Sequence, residues 1–249
     1  MSLYRLTACT SQHIGDRKDQ QDRLALVQSP NFEGIALAVV ADGMGGKTGG
    51  GMAAEQAVST AVQLFNNFGA GERVEDLLAQ MVAESHTVIR LLSLSEEKEP
   101  HSTFVAMVVT PTVFFWGHVG DSRLYHFRHG ILQQRTTDHS FVEEAVRSGK
   151  MTEAQAKNHK FKNMLVSALG TPEQPKYDIG GTLDPQAGDA FILASDGLWG
   201  YFEDHELGKI LEAMSPREAS ELLVDITRER AQGRGDNLSF VIVKLLPVE

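Results

Sequence analysis

Residues 104–119 read FVAMVVT-PT-VFFWGHV. Two runs rich in β-branched and aromatic side chains flank Pro111-Thr112, a pair suited to a tight turn. This spacing predicts a hairpin of Phe104–Thr110 with Val113–Val119, and therefore antiparallel pairing. A further strand pattern follows at Arg123–Arg128, with His129-Gly130 as a second candidate turn. Outward from this block, Leu6–Ser11, Ile35–Ala41, Ala190–Ala194 and Leu238–Lys244 have the same character.

Helical periodicity occupies the space between these groups. Ala54, Ala57, Val58, Ala61, Val62 and Phe65 form a stripe at spacings of three and four within Met52–Phe65. Leu77, Leu78, Met81, Val82, Val88, Ile89 and Leu92 do nearly the same within Val74–Leu94. Ser215-Pro216-Arg217-Glu218 is a helix start, with a Ser cap, Pro at the first helical position and Glu three residues after the cap. Leu222, Leu223 and Ile226 then fall on one face. Helices that come in adjacent pairs between groups of consecutive strands, without strict βαβ alternation, favour antiparallel sheets covered by helices.

Composition bounds the function. A chain of 249 residues, 42% hydrophobic and 22% charged, can bury a core without disulfides. With no repeat or low-complexity linker it is expected to form one domain. The single cysteine, Cys9, leaves no internal disulfide and no cysteine-rich zinc site. A net charge of −10 argues against nucleic-acid binding, which needs clustered Lys and Arg. Residues 1–12 carry no apolar core of a signal peptide and no run is long enough to span a bilayer, so a cytoplasmic protein is expected.

Four aspartates stand in glycine-rich settings at strand ends or turns. They are Asp42 in Val39-Val40-Ala41-Asp42-Gly43-Met44-Gly45-Gly46, Asp121 in Gly120-Asp121-Ser122-Arg123, Asp196 in Ser195-Asp196-Gly197, and Asp236 in Gly235-Asp236-Asn237. Hard divalent cations prefer carboxylate and carbonyl oxygens, and an adjacent glycine lets metal and water approach closely. Any one Asp-Gly pair reads as well as an ordinary turn. Asp42 and Asp196, however, each end a strongly apolar strand, and the glycine density after Asp42 exceeds what a turn needs. Gly43-Met44-Gly45-Gly46-Lys47-Thr48 lacks the spacing of a nucleotide-binding P-loop. No zinc-protease pattern occurs among the nine histidines, and Ser195 lies in no Gly-x-Ser-x-Gly elbow.

The ordered set Arg17-(x)₂-Gln20-Gln21-Asp22, Asp42-Gly43-Met44-Gly45-Gly46, Gly120-Asp121-Ser122-Arg123, Asp138-His139-Ser140, Ala168-Leu169-Gly170, Ser195-Asp196-Gly197-Leu198 and Asp236-Asn237 resembles the type 2C family of metal-dependent serine/threonine protein phosphatases, in its compact bacterial form. The resemblance implies an α+β fold, a four-layer sandwich of two central antiparallel sheets flanked by pairs of helices, with the metal cluster at one end. It implies hydrolysis of phosphoserine and phosphothreonine by a metal-bound hydroxide, with Mn²⁺ or Mg²⁺ as two core ions and a third. Asp42 would bridge the core ions and the Gly43 carbonyl would bind one of them. Asp196 and Asp236 would ligate the other, and Asp22 would act through bound water. Asp121 would share the third ion with Asp196, and Arg17 would clamp the substrate phosphate. Residues 140–162, with candidate caps at Ser140 and Thr152, match the position of the family's flap.

Three positions depart from the family pattern. Gln21 replaces a frequent acidic residue, Met44 stands where many eukaryotic members carry a histidine acid, and Ser167 stands where relatives often have arginine. His139 reads as a residue that orders a turn. Phosphorylated proteins are the expected substrates, opposing a serine/threonine kinase, with a monomer acting free of nucleic acid and membrane. The alternatives are a non-catalytic phosphoprotein-binding regulator and a two-metal hydrolase of small phosphoesters.

Overall fold

A computed structural model of the chain describes residues 4–93, 99–182 and 184–248, with the backbone alone at 46–48. The elements in order are β1 (Tyr4–His13), β2 (Arg23–Gln28), β3 (Ala36–Ala41), β4 (Gly43–Met44), α1 (Gly46–Asn67), α2 (Val74–Ser93), β5 (His101–Ser102), β6 (Phe104–Val109) and β7 (Phe114–Val119). They continue with β8 (Arg123–Arg128), β9 (Ile131–Arg135), α3 (Phe141–Arg147), α4 (Glu153–Lys157), β10 (Asp178–Thr182), β11 (Asp189–Ala194), α5 (Asp196–Trp199), α6 (Asp204–Ala213), α7 (Pro216–Ala231) and β12 (Leu238–Pro247).

Two five-stranded sheets form, in the orders β1-β12-β11-β8-β9 and β10-β7-β6-β3-β2, and every pairing is antiparallel. The hairpin read at residues 104–119 is present, with Val109 opposite Phe114 and the Thr110 N–H donating to the Val113 carbonyl. His129-Gly130 closes the β8–β9 hairpin with both residues at positive φ, the backbone of a tight primed turn.

Side-chain alternation divides the core into layers. On β3, Leu37, Val39 and Ala41 pack with α1 and α2, while Ala38 and Val40 face the opposite sheet. Between the sheets, Phe114 meets Phe191 edge to face with ring centroids 4.3 Å apart. A third cluster joins the outer face of β8, β11 and β12 to α5, α6 and α7. The result is helices, sheet, sheet, helices, as expected for four layers with paired helices.

Boundaries differ from the sequence reading in instructive ways. Helix α1 starts at Gly46, six residues before Met52, and runs through Gly49, Gly50 and Gly51. A Cβ on Gly50 would lie 2.5 Å from the Gly43 carbonyl oxygen, so this first turn packs backbone on backbone and requires glycine. Helix α2 ends at Ser93, and Leu94 lies outside the described residues. Strands β2, β4, β5, β9 and β10 and helices α5 and α6 are additions to the expected elements. Both caps read in the 140–162 segment are formed: the Ser140 hydroxyl accepts from Glu143 N–H, and Thr152 with Gln155 makes a capping box. The Ser215–Glu218 box at the head of α7 is formed too.

Candidate metal centre

Strand ends at one edge of the sandwich deliver the aspartates. Asp42 follows β3, Asp121 sits in the β7–β8 turn, Asp196 opens α5 directly after β11, and Asp236 precedes β12. With Arg17 and Gly43 they line one cleft of about 600 Å³. Convergence of the β11 and β12 ends depends on Gly197, where a Cβ would stand 1.9 Å from the Asn237 carbonyl oxygen.

The backbones of Asp42 and Asp121 are held from behind. The Asp42 N–H donates to Thr103 Oγ1 at 2.9 Å, and the Asp42 carbonyl accepts from Thr103 N–H and Ser102 Oγ. Thr103 Oγ1 also lies 2.7 Å from Ser122 Oγ, so the Asp42 and Asp121 loops share one hydroxyl pair. The Asp121 carbonyl accepts the indole N–H of Trp199 at 3.0 Å. The Trp199 ring in turn carries the Arg123 guanidinium 3.4 Å from its centroid, and Arg123 forks onto Asp138 with two bonds of 2.8 Å. His139 orders the neighbouring turn: its Nδ1 accepts the Gly120 N–H and its own backbone N–H donates to the Gly120 carbonyl.

Asp22 does not line the cleft. It is buried behind it at the start of β2, where Oδ2 accepts the Ser195 hydroxyl at 2.7 Å. Its other oxygen, Oδ1, is buried with no hydrogen-bond partner. An orphaned carboxylate oxygen is costly unless something positive or protic meets it.

The electrostatics point the same way. Burial raises the Asp22 carboxyl to about 6, opposed by the Ser195 hydroxyl and by the neighbouring Ser239 and Asp42 side chains. Burial, with the Asp138 charge adding to it, raises Asp121 to about 7. Asp42 and Asp196 are held well above the usual carboxylate range, first by burial and then by the other aspartates of the group. Carboxylates crowded this closely resist sharing negative charge, and a divalent cation reverses that resistance. An all-oxygen donor set with an orphaned Asp22 oxygen behind it fits Mn²⁺ or Mg²⁺ and does not fit a soft metal.

Arg17 stands on the β1–β2 loop, its guanidinium hydrogen-bonded to Asp236. Asn163 and Leu165, just past residues 140–162, line the cleft wall, and Met44 lines it without offering an exchangeable proton. Ser167 is buried and donates to the Lys176 carbonyl at 2.8 Å. Thr103, Trp199, Asn163 and Asn237 join the site without having been assigned a part by sequence reasoning. Of these, Asn237 alone carries a signal, as the neighbour of Asp236. A second group, His118, His139 and Asp178, brings three ligand-type atoms within 4.8 Å of one another. Its two imidazoles are stacked 16° from parallel, and stacked rings cannot both aim in-plane lone pairs at a shared ion. Among the described residues, no helix is long and apolar enough to cross a membrane.

Comparison with known proteins agrees with this geometry. The family model for protein phosphatase 2C matches residues 9–228, so Asp236 takes its place from the structure. The chain is 34% identical to the serine/threonine phosphatase stp of Listeria monocytogenes serotype 4b, over 86% of each chain. It is 28% identical to the Mycobacterium tuberculosis phosphatase PstP over 86% of this chain and 41% of that protein. Among solved structures, the S. agalactiae serine/threonine phosphatase superposes with a TM-score of 0.85 at 26% identity, covering 96% of this chain and 99% of that one. The PstP catalytic domain in complex with two manganese ions superposes with a TM-score of 0.80 at 25% identity, covering 97% and 98%. The chain belongs to the protein phosphatase 2C family and is a serine/threonine protein phosphatase dependent on Mn²⁺ or Mg²⁺.

Proposed function

We propose that Asp42, the Gly43 carbonyl, Asp196 and Asp236 hold two core ions, that Asp121 with Asp196 holds a third, and that Asp22 supports the group from behind. The observation that carries this assignment is the meeting of four strand-end aspartates in one cleft, with a partnerless Asp22 oxygen behind it. When bound, the metal supplies Lewis-acid activation of water and neutralises charge on the phosphoryl group.

The chain's own residues bind and orient the substrate. Arg17 at the cleft offers a permanently charged fork suited to phosphate oxygens, and Lys18 beside it adds positive charge. Thr103 fixes the backbone of Asp42, and through Ser122 the Asp121 turn follows it. Met44 carries no proton to give, so protonation of the leaving serine or threonine oxygen falls to another group.

The catalytic unit spans the whole chain, with residues 140–162 as its flap. Phosphoproteins made by an opposing serine/threonine kinase are its substrates, and it acts as a cytoplasmic monomer. The test is turnover of a phosphothreonine peptide and of a small aryl phosphate, each with Mn²⁺, Mg²⁺ or chelator. Metal-dependent turnover of the peptide supports the reading. Turnover of the aryl phosphate alone assigns the site to small phosphoesters.

A further inference from the structure

The cleft's arginine stands on a loop rather than on a strand or helix, and its side chain is 60% exposed. What holds such a group still must come from its neighbours. Beyond bonds within the loop, such as the Arg17 N–H to the Ile14 carbonyl at 3.4 Å, two fastenings do so. Asn237 ties both ends of the loop, its Nδ2 donating to the carbonyls of Ile14 and Asp19 and its Oδ1 accepting the Gln21 N–H.

The middle is fastened by Asp16, the residue next to Arg17. The Asp16 N–H donates to the Gly235 carbonyl at 2.9 Å, and the Gly235 N–H returns a bond of 2.7 Å to Asp16 Oδ2. Arg228 closes the arrangement with a two-pronged pair onto both Asp16 oxygens, at 2.8 and 2.7 Å. Arg228 lies in the last turn of α7, a helix capped at Ser215 and anchored by buried Ala219, Leu223 and Ala231. The path therefore runs from a rigid helix through Arg228 and Asp16 to the backbone of Arg17 on one side and of Gly235-Asp236 on the other.

We propose that Asp16 and Arg228 are positioning residues, a clasp that sets Arg17 against Asp236 so that the guanidinium is pre-oriented for a phosphoryl group. This rests on the reading of Arg17 as the phosphate clamp. An isolated exposed ion pair contributes little, but a carboxylate that accepts a guanidinium fork and a backbone N–H together fixes geometry. Loss of the clasp falls on Arg17 more than on Asp236. Asp236 is followed directly by Asn237 and β12, which hold it independently, whereas Arg17 has no such element.

The variant Asp16→Asn keeps side-chain size, and its amide oxygen can still accept from the Gly235 N–H; Arg228→Gln shortens the side chain and removes the fork. Each is assayed on a phosphothreonine peptide at saturating Mn²⁺, alone and in an Arg17→Ala background. Inhibition by inorganic phosphate and calorimetric Mn²⁺ binding are measured on the same proteins. KM and the phosphate inhibition constant are expected to rise roughly three- to tenfold, with kcat within about twofold and Mn²⁺ binding retained. Arg228→Lys, which keeps the charge and loses the fork, should fall between parent and Arg228→Gln. In the Arg17→Ala background the Asp16 and Arg228 effects should vanish, because they act through Arg17. Effects of undiminished size in that background, or a lower Tm with unchanged KM, overturn the proposal. A silent Arg17→Ala on its own strikes the clamp reading beneath it, and the clasp falls with it.

Discussion

The guanidinium of Arg17 is hydrogen-bonded to the carboxylate of Asp236, a residue 219 positions away in the chain. A cation from the β1–β2 loop thus meets the acid just before β12, at the wall of the aspartate cleft.

Arg17→Ala tests whether that cation serves substrate. Charge-assisted hydrogen bonds contribute roughly 1.5–3 kcal/mol, so kcat/KM for phosphopeptide should fall on the order of ten- to a hundredfold. The loss should appear in KM and in weaker inhibition by inorganic phosphate, with Mn²⁺ binding nearly unchanged. Steady-state kinetics identical to the parent protein return Arg17 to an ordinary surface residue.

Asp121, like Asp42, is supported through its backbone. Its backbone carbonyl, not its carboxylate, receives the Trp199 N–H, so Asp121→Ala leaves that bond in place. The variant should still bind two tight ions and turn over phosphopeptide slowly. An aryl phosphate, whose leaving group needs little protonation, should lose less. Equal losses on both substrates, together with a lower Tm, indicate a residue that only shapes the turn before Arg123.

Much of this was legible in the sequence, and the exceptions have physical causes. Residues 104–119 announced a hairpin because both runs are apolar and Pro111 forces a turn; β6 is buried along its whole length. The four aspartates were visible because each borders a glycine or a turn where backbone crowds backbone, as at Gly197. Strand β9 was not legible: all five of its residues are exposed, so nothing imposes an apolar pattern on Ile131–Arg135. The first turn of α1 was hidden because Gly49, Gly50 and Gly51 have low helix propensity, and close packing on Gly43 overrides it. Thr103 and Trp199 act on the aspartates through backbone atoms, and such partners leave no mark in local sequence.

Acid stability should report on a second charged group, remote from the cleft. Asp189 has no exposure and accepts from His126 Nε2, from the Arg128 fork and from the Gln186 N–H. Burial pushes its carboxyl up, but these bonds together outweigh it and hold the group at about 2. A depressed folded-state pKa gives stability that is present above the unfolded value and lost as pH falls through the folded one. A shift of this size corresponds to roughly 2 kcal/mol. Urea unfolding of the parent and of Asp189→Asn should therefore differ most above about pH 4, and the gap should narrow by that amount toward pH 2. A gap independent of pH over this range contradicts the assignment.

Metal binding by the aspartates is tested most directly by calorimetric titration of Mn²⁺ into chelator-treated parent protein and Asp42→Asn. Asp42 lies at the end of β3 with its backbone fixed by Thr103, so the substitution should leave the fold intact. At least two tightly bound ions are expected in the parent, and binding weakened by on the order of a hundredfold or more is expected in the variant, the size of a lost carboxylate ligand. A parent that binds no Mn²⁺, or an Asp42→Asn protein that binds it as the parent does, would contradict a metal centre at this cleft.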